Sequence, residues 1–343
     1  MKAAVIRKHG GIDVIAVEDV PEPKPGAGEV LVDVRAAALN HLDIWVRRGG
    51  RAELKGAHVL GSDGAGVISA LGPSVHGIEI GQEVVIHAGL SCGCCEQCRA
   101  GQQSLCPSFG IIGMSRPGTF AQKVAVPAGN LRPRPAHLTF EESAALGVAY
   151  TTAWRMLTTR AALKPGETVL IHGIGGGVAL AALQIAKLMS ARVIVTSSSD
   201  EKLKKAGALG ADELINYQKT PEVAARVREL TGGRGADLAV DSVGAAVWPM
   251  ELQAVRRGGR IVICGVTTGD QAVTDLRAVY WNQLTVLGST SGSDEDVRSL
   301  LAFVSAAKLR PVIDSIMPLE KVREATERME SGKQFGKVIL TVK

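Results

Sequence analysis

Four cysteines carry the most specific chemistry in this sequence: Cys92, Cys95, Cys98 and Cys106, in the spacing C-x2-C-x2-C-x7-C. Three thiolates at intervals of three wrap a tetrahedral ion, and a fourth closes the site after a short loop. With sulfur at all four places no coordination position is left for water or substrate, so the spacing points to one structural zinc. An iron–sulfur cluster is a rival occupant, and a redox dithiol at Cys94-Cys95 is another. Cys94 is a spare thiol beside the ligands, and Cys264 reads as an ordinary buried strand residue.

The second chemical signature is Val169-Leu-Ile-His-Gly-Ile-Gly-Gly-Gly-Val-Ala179. A strand runs into a turn carrying Gly173, Gly175, Gly176 and Gly177, and the turn opens a helix at Val178. Glycines let the backbone approach a pyrophosphate, and a helix N-terminus offers free N–H groups with a partial positive charge. A plain strand-to-helix connection would leave a similar turn, so the surrounding alternation of strands and helices is what argues for a dinucleotide. An acid that grips the ribose of NAD falls about twenty residues further on. Here that strand ends Thr196-Ser197-Ser198-Ser199-Asp200-Glu201-Lys202. The Ser197 and Ser198 hydroxyls with Lys202 suit a 2′-phosphate, so NADP(H) is expected ahead of NAD(H). Ser199 or Asp200 also suits the cap of the following helix.

These groups need a frame. Up to about Pro135 the chain is rich in short β-like runs broken by Gly and Pro, among them Glu29–Val34, Gly66–Ser69, Glu83–Ile86 and Gln122–Val126. That texture predicts a β-rich, barrel-like domain with long loops. A helical stretch from Glu141 to about Thr159 follows. Strands are then expected at Thr168–His172, Arg192–Thr196, Leu238–Asp241, Arg260–Cys264 and Leu284–Leu287, with helices at Gly177–Met189 and Asp200–Ala208. In the first of these helices Val178, Ala182, Ile185 and Met189 form one apolar stripe. The alternation predicts a parallel sheet covered on both faces. A helix from Asp294 to about Lys308 and a last strand, Lys337–Val342, complete the chain.

A length of 343 residues suits two domains, and 46% hydrophobic with 21% charged residues excludes a disordered chain. The net charge of +5 is scattered, without an aromatic-basic ribbon, so nucleic acid is not the expected partner. The stretch Met1–Gly10 reads as a strand and a turn rather than a signal peptide. No apolar run reaches the roughly 18 residues of a membrane span, and the expected location is the cytoplasm.

The order of these parts resembles the medium-chain dehydrogenase/reductase superfamily, which includes zinc alcohol dehydrogenases and quinone oxidoreductases. The resemblance covers nearly the whole chain and rests on Gly61-Ser-Asp-Gly-Ala-Gly66, the four-cysteine spacing, Gly173–Ala179 and Asp237–Gly244. It implies an α/β fold class: a GroES-like β-rich domain (residues 1–148 with 310–343, the cysteine zinc lobe at 91–106) plus a doubly wound parallel-sheet Rossmann domain (149–309). It also implies a homodimer or homotetramer that moves hydride between a nicotinamide cofactor and a small-molecule substrate.

The chain departs from the zinc alcohol dehydrogenases where their catalytic metal would sit. Their Cys before His-x-Asp is Asn40 in Asn40-His41-Leu42-Asp43, their Gly-His-Glu is Gly61-Ser62-Asp63, and their third ligand falls near Val148. No catalytic zinc is therefore expected, although a substitute set of His41, Asp43, His58 and Asp63 can be drawn. What remains resembles the quinone-reductase branch. On that resemblance the catalytic candidates are Asn40, Asp43, Asp63 and Tyr150. The Asn40 amide either donates to a substrate carbonyl or caps the helix Leu42–Arg48, with Asp43 at its third position. Asp63 is an anchor or a turn-former, and Tyr150 either faces the nicotinamide or packs in the core. Beyond the glycine turn, the cofactor candidates are His41 (toward the phosphates, or exposed), Thr152, Tyr217 at the 2′-phosphate, Val243 and Gly265. The expected function is reduction of a small carbonyl, conjugated enone or quinone. The alternatives are an alcohol dehydrogenase acting on simple alcohols and aldehydes, and a dinucleotide-binding protein without turnover.

Overall fold

The ten-residue strand Glu29–Ala38 is buried along most of its length and closes on three buried alanines, and the first unit is built around it. The structure, a computed structural model, describes residues 1–49, 54 and 56–343. It divides into two compact units, Met1–Thr151 with Gly292–Lys343, and Thr152–Ser291.

In the first unit a seven-stranded sheet runs in the order Leu131–Pro133, Glu83–Ile86, Asp63–Leu71, Glu29–Ala38, Lys337–Thr341, Ile313–Pro318, with Lys123–Pro127 also paired to Glu29–Ala38. Ala4, Val32, Ile68, Ile86, Phe120 and Leu340 are among the residues of its core. The register matters for function. Ala38 pairs with Asp63 on one side and with Ile339 on the other. Both pairings are antiparallel, so the residues just after Ala38, the start of Asp63–Leu71 and the start of Lys337–Thr341 meet at one end of the sheet. A two-stranded ribbon, Gly89–Leu90 with Gly110–Ile111, brackets the cysteine lobe.

The second unit is a six-stranded parallel sheet in the order Glu213–Asn216, Arg192–Ser197, Thr168–Ile171, Ala236–Asp241, Val255–Ile263, Thr285–Gly288. Sequence order reverses between Thr168–Ile171 and Ala236–Asp241, and ligands bind beyond the carboxyl ends of strands at such a switch point. Every residue of those two strands is buried, as a sheet covered on both faces requires. The fold is thus the expected α/β pairing of a β-rich domain with a doubly wound sheet.

Three local expectations are corrected. The helix expected from Glu141 to Thr159 is broken into Phe140–Ala145 and Val148–Trp154, then winds on as a π-helical turn, Arg155–Arg160. The break falls at Gly147, where a Cβ would stand 2.2 Å from the Asp63 carboxylate. Two strands were not anticipated, Glu213–Asn216 and Ile313–Pro318, whose mixed polarity hides a period of two. The helix Asp294–Ala307 belongs to the first unit, where Arg132 pairs with Asp294, rather than to the parallel-sheet domain.

Candidate active site

Lys337 is the only charged residue in its strand of otherwise apolar or small residues, and it is 3% exposed. A buried ammonium is tolerable only when its protons are taken up. Its Nζ donates to the Leu39 carbonyl at 2.7 Å, to Asn40 Oδ1 at 2.6 Å and to Asp63 Oδ2 at 3.0 Å. All three ammonium protons are thereby spoken for. The other Asp63 oxygen accepts the Val148 N–H at 2.7 Å, so this one carboxylate joins the sheet end to the helix Val148–Trp154.

The contact with Lys337 also decides the orientation of the Asn40 amide. An ammonium only donates, so the atom facing it must be Oδ1, and the donor end is Nδ2. Nδ2 has one long contact, 3.5 Å to the Ala38 carbonyl. Asn40 starts the helix His41–Arg48, and its backbone N–H donates to Asp43 Oδ2 at 2.8 Å. Its backbone therefore belongs to the helix cap, as one reading had it, and its side-chain oxygen is taken by the lysine, a contact that neither reading foresaw. Asp43 is buried, and burial first, with the Asp63 charge adding to it, pushes its pKa up to about 7 despite the Asn40 hydrogen bond.

His41 is exposed in the first turn of that helix. The substitute metal set is not assembled: His58 Nε2 sits on the Gly113 carbonyl, and both Asp63 oxygens are engaged by Lys337 and Val148. Ser62 is fully buried and its hydroxyl has no hydrogen-bond partner among the described residues. Of the two readings of Tyr150, its burial agrees with core packing. It is 1% exposed, its hydroxyl accepts the Val312 N–H, and burial raises its pKa well above the usual phenol range.

The four lobe cysteines bring their sulfurs within 4.8 Å of one another. Cys92 Sγ lies 3.6 Å from Cys106 Sγ and 4.0 Å from Cys98 Sγ. A tetrahedron of Zn–S bonds has edges of roughly 3.8 Å, so the set fits zinc. The backbone N–H groups of Cys94 and Cys95 hold the Cys92 thiol down at about 6, which favours the ligating thiolate. Cys94 itself stands outside the cluster.

In the second unit the glycine turn has the geometry a pyrophosphate needs. Gly173 and Gly175 have φ of 65° and 114°, and Gly176 precedes the helix Gly177–Leu188 without a side chain to cap its first N–H groups. A Cβ at Gly175 would stand 2.9 Å from Lys202 Cδ, so the lysine lies over the turn. Ser197 Oγ accepts the Ser199 N–H, Ser198 is exposed, and the Tyr217 N–H donates to the Ser197 carbonyl. Ser197, Ser198, Lys202 and Tyr217 thus gather at the end of Arg192–Ser197. Asp200 turns its carboxylate to Asn216 and Lys219. Val243 packs against Gly173, and Gly265 sits against the Ser242 carbonyl. Thr152 is buried in the helix Val148–Trp154.

Comparison with known proteins agrees with this division of labour. Residues 26–136 match the alcohol dehydrogenase GroES-like domain, and residues 177–306 match the zinc-binding dehydrogenase family. An alcohol dehydrogenase of Geobacillus stearothermophilus is 33% identical over 344 residues, covering 100% of both chains. The chain belongs to the medium-chain dehydrogenase/reductase superfamily. Another relative in this superfamily is the acryloyl-coenzyme A reductase of Metallosphaera sedula, 32% identical over 99% of this chain and 100% of that one. A crystal structure described as an NAD-dependent alcohol dehydrogenase is 47% identical, covers 100% of both chains and superposes with a TM-score of 0.96. The protein is accordingly an NAD(P)-dependent medium-chain oxidoreductase, and a nicotinamide cofactor and zinc go with its family and its cysteine cluster. Among the described residues no helix is long and apolar enough to cross a membrane.

The reading of the sequence missed Lys337. A signal was there: a lysine opening an apolar run, Lys337-Val-Ile-Leu, demands a buried anion.

Proposed function

We propose that this chain reduces a conjugated carbonyl, an enone or a quinone with NAD(P)H, holding its zinc in the cysteine lobe and using hydrogen bonds where a catalytic metal would act. The observation that carries this reading is the Lys337–Asn40 contact, which leaves the amide Nδ2 as the donor for a substrate oxygen. The Ser62 hydroxyl is a second candidate donor. Reduction of a simple aldehyde builds a localised alkoxide, the charge a Lewis-acid metal stabilises. Reduction of an enone or quinone spreads the incoming charge over a conjugated system, a load that neutral donors can hold. Kinship with the acryloyl-coenzyme A reductase supports a conjugated acceptor.

For the cofactor we favour NADP(H), on Ser197, Ser198, Lys202 and Tyr217 and on the diversion of Asp200 to Lys219. A second reading, NAD-linked alcohol oxidation, is favoured by the likeness to the 47% identical NAD-dependent alcohol dehydrogenase. A four-thiolate metal site suits a reducing compartment, so we place the chain in the cytoplasm. Its partners in this reading are the small-molecule substrate and a second copy of itself.

Initial rates with NADPH and NADH against an enone, a benzoquinone and a simple aldehyde, with ethanol oxidation as the reverse test, separate these readings. Enone and quinone should exceed aldehyde and ethanol. Asn40→Ala should lower kcat roughly tenfold or more while leaving cofactor affinity nearly unchanged. Lys202→Ala should cut the preference for NADPH about tenfold. Fast zinc-dependent ethanol oxidation with inert enones and quinones would establish the alcohol dehydrogenase instead. Cofactor binding without turnover of any substrate would leave a dinucleotide-binding protein.

A further inference from the structure

Beneath the cofactor-facing loops of the second unit lies a cluster of titratable groups that hydride transfer does not use. Asp241 ends the strand Ala236–Asp241 and is fully buried. Its Oδ1 accepts two backbone protons, from Val243 at 2.6 Å and Gly244 at 2.9 Å, while Oδ2 has no hydrogen-bond partner among the described residues. The loop it holds is the one whose Val243 packs on Gly173 of the glycine turn.

Three neighbouring elements turn titratable groups toward Asp241. Glu251 comes from the helix Trp248–Ala254, His172 follows the strand Thr168–Ile171, and Cys264 follows Val255–Ile263. Glu251 is itself fully buried, with one oxygen 3.1 Å from His172 Nε2 but not aligned as a hydrogen bond. His172 Nδ1 is 3.1 Å from Thr196 Oγ1. Two carboxyl groups and one imidazole are therefore buried near one another, beside two loops that carry cofactor-binding candidates.

We propose that Asp241 is a positioning residue for the nicotinamide cofactor: its carboxylate clamps the Val243–Gly244 backbone against the glycine turn, and Glu251 and His172 set the charge on that clamp. The inference rests on nicotinamide binding and is independent of which substrate is reduced. Burial first, then the Glu251 charge, push the Asp241 pKa up to about 6, while His172 acts in the opposite direction. Protonating Asp241 replaces two charge-assisted hydrogen bonds by weaker neutral ones. Cofactor affinity should therefore fall as pH drops through about 6.

The test is the dissociation constant of NADH, followed by its fluorescence on the zinc-loaded protein between about pH 5 and 8, a range that brackets Asp241. NADH is the probe because, unlike NADPH, it has no phosphomonoester titrating there. The constant should rise about three- to tenfold on the acid side. Glu251→Gln should move the inflection to lower pH and His172→Gln to higher pH, opposite shifts that a merely structural role would not produce. Asp241→Asn, which keeps an acceptor oxygen without the charge, should hold the weaker affinity at every pH and lose the inflection. Should that variant fail to fold, the two opposed shifts still decide the matter. A pH-independent constant in the unmodified protein would overturn the proposal. So would an inflection that Glu251→Gln and His172→Gln leave in place or move the same way, or one that disappears in His41→Gln.

Discussion

Asp43 sits between an amide it must satisfy and a second buried carboxylate, and the charge it would carry is costly there. Its pKa in the fold, about 7, lies above the ordinary carboxylate value, so the native state holds this proton more tightly than the unfolded chain. The associated stability is complete below roughly pH 4 and is lost as pH rises through about 7. Asp43→Asn keeps an acceptor for the Asn40 N–H and is neutral at every pH. Its stability, followed by thermal melting, should match that of the unmodified protein below about pH 4 and exceed it near about pH 8.5, by a margin on the order of 4 kcal/mol. Parallel melting curves for the two proteins across that range would show that Asp43 ionises normally. The contrast with Lys337 is instructive. Its charge is surrounded by three acceptors, one of them ionic, so replacing Asp63 by a neutral apolar residue leaves an uncompensated ion and a cost of about 3–5 kcal/mol.

Among the elements, the cysteine lobe is the one least able to hold itself together. Between Ser91 and Pro107 it has a four-residue helix, Glu96–Arg99, a three-residue turn, Gln103–Leu105, and two buried ligands, Cys98 and Cys106. Zinc must supply what the missing core does not; isolated zinc peptides gain on the order of 10–16 kcal/mol from the metal. Metal analysis should find one zinc per chain, and Cys95→Ser or a chelator should lower the melting temperature before it lowers turnover at ambient temperature. Two zincs per chain, or none with the lobe still resistant to proteolysis, would contradict this assignment. The lobe and the glycine turn were legible in the sequence because their chemistry is local, four ligands in fifteen residues and one strand-turn-helix. The helix Asp200–Ala208 was legible for the same reason, its Ser199 cap standing next to it. The Lys337–Asn40–Asp63 cluster was not, because it joins residues 274 and 297 positions apart through sheet register alone. The break at Gly147 was hidden likewise: its cause, Asp63, lies far away in the chain. The choice between the two readings of Tyr150, facing a nicotinamide or packing in the core, was not legible either, because burial cannot be read from residue type.

At the scale of the whole molecule the two edges of the parallel sheet differ, and the difference bears on assembly. The edge strand Glu213–Asn216 shows one substantially exposed apolar residue, Leu214. The opposite edge, Thr285–Gly288, is hydrogen-bonded on one side only, to Val255–Ile263, and is largely exposed along its length. Beside it in sequence, the helix Leu276–Trp281 buries no residue at all. Val273, Leu276, Tyr280, Trp281 and Val286 are exposed at 90%, 72%, 64%, 64% and 44%. An open strand edge flanked by large apolar side chains is a pairing surface, and a stable protein leaves it uncovered at the risk of aggregation. The second copy taken as a partner under the proposed function would cover it if the two Thr285–Gly288 strands paired antiparallel about a twofold axis. Light scattering during size-exclusion chromatography should then report a dimer or a tetramer at micromolar concentration. Val286→Lys combined with Trp281→Glu places charges on the open edge and on the bare helix, away from the glycine turn. This double variant should shift the population to a smaller species while NADH still binds. A monomer in the unmodified protein, or an unchanged mass in the variant, would mean that the edge is covered in some other way.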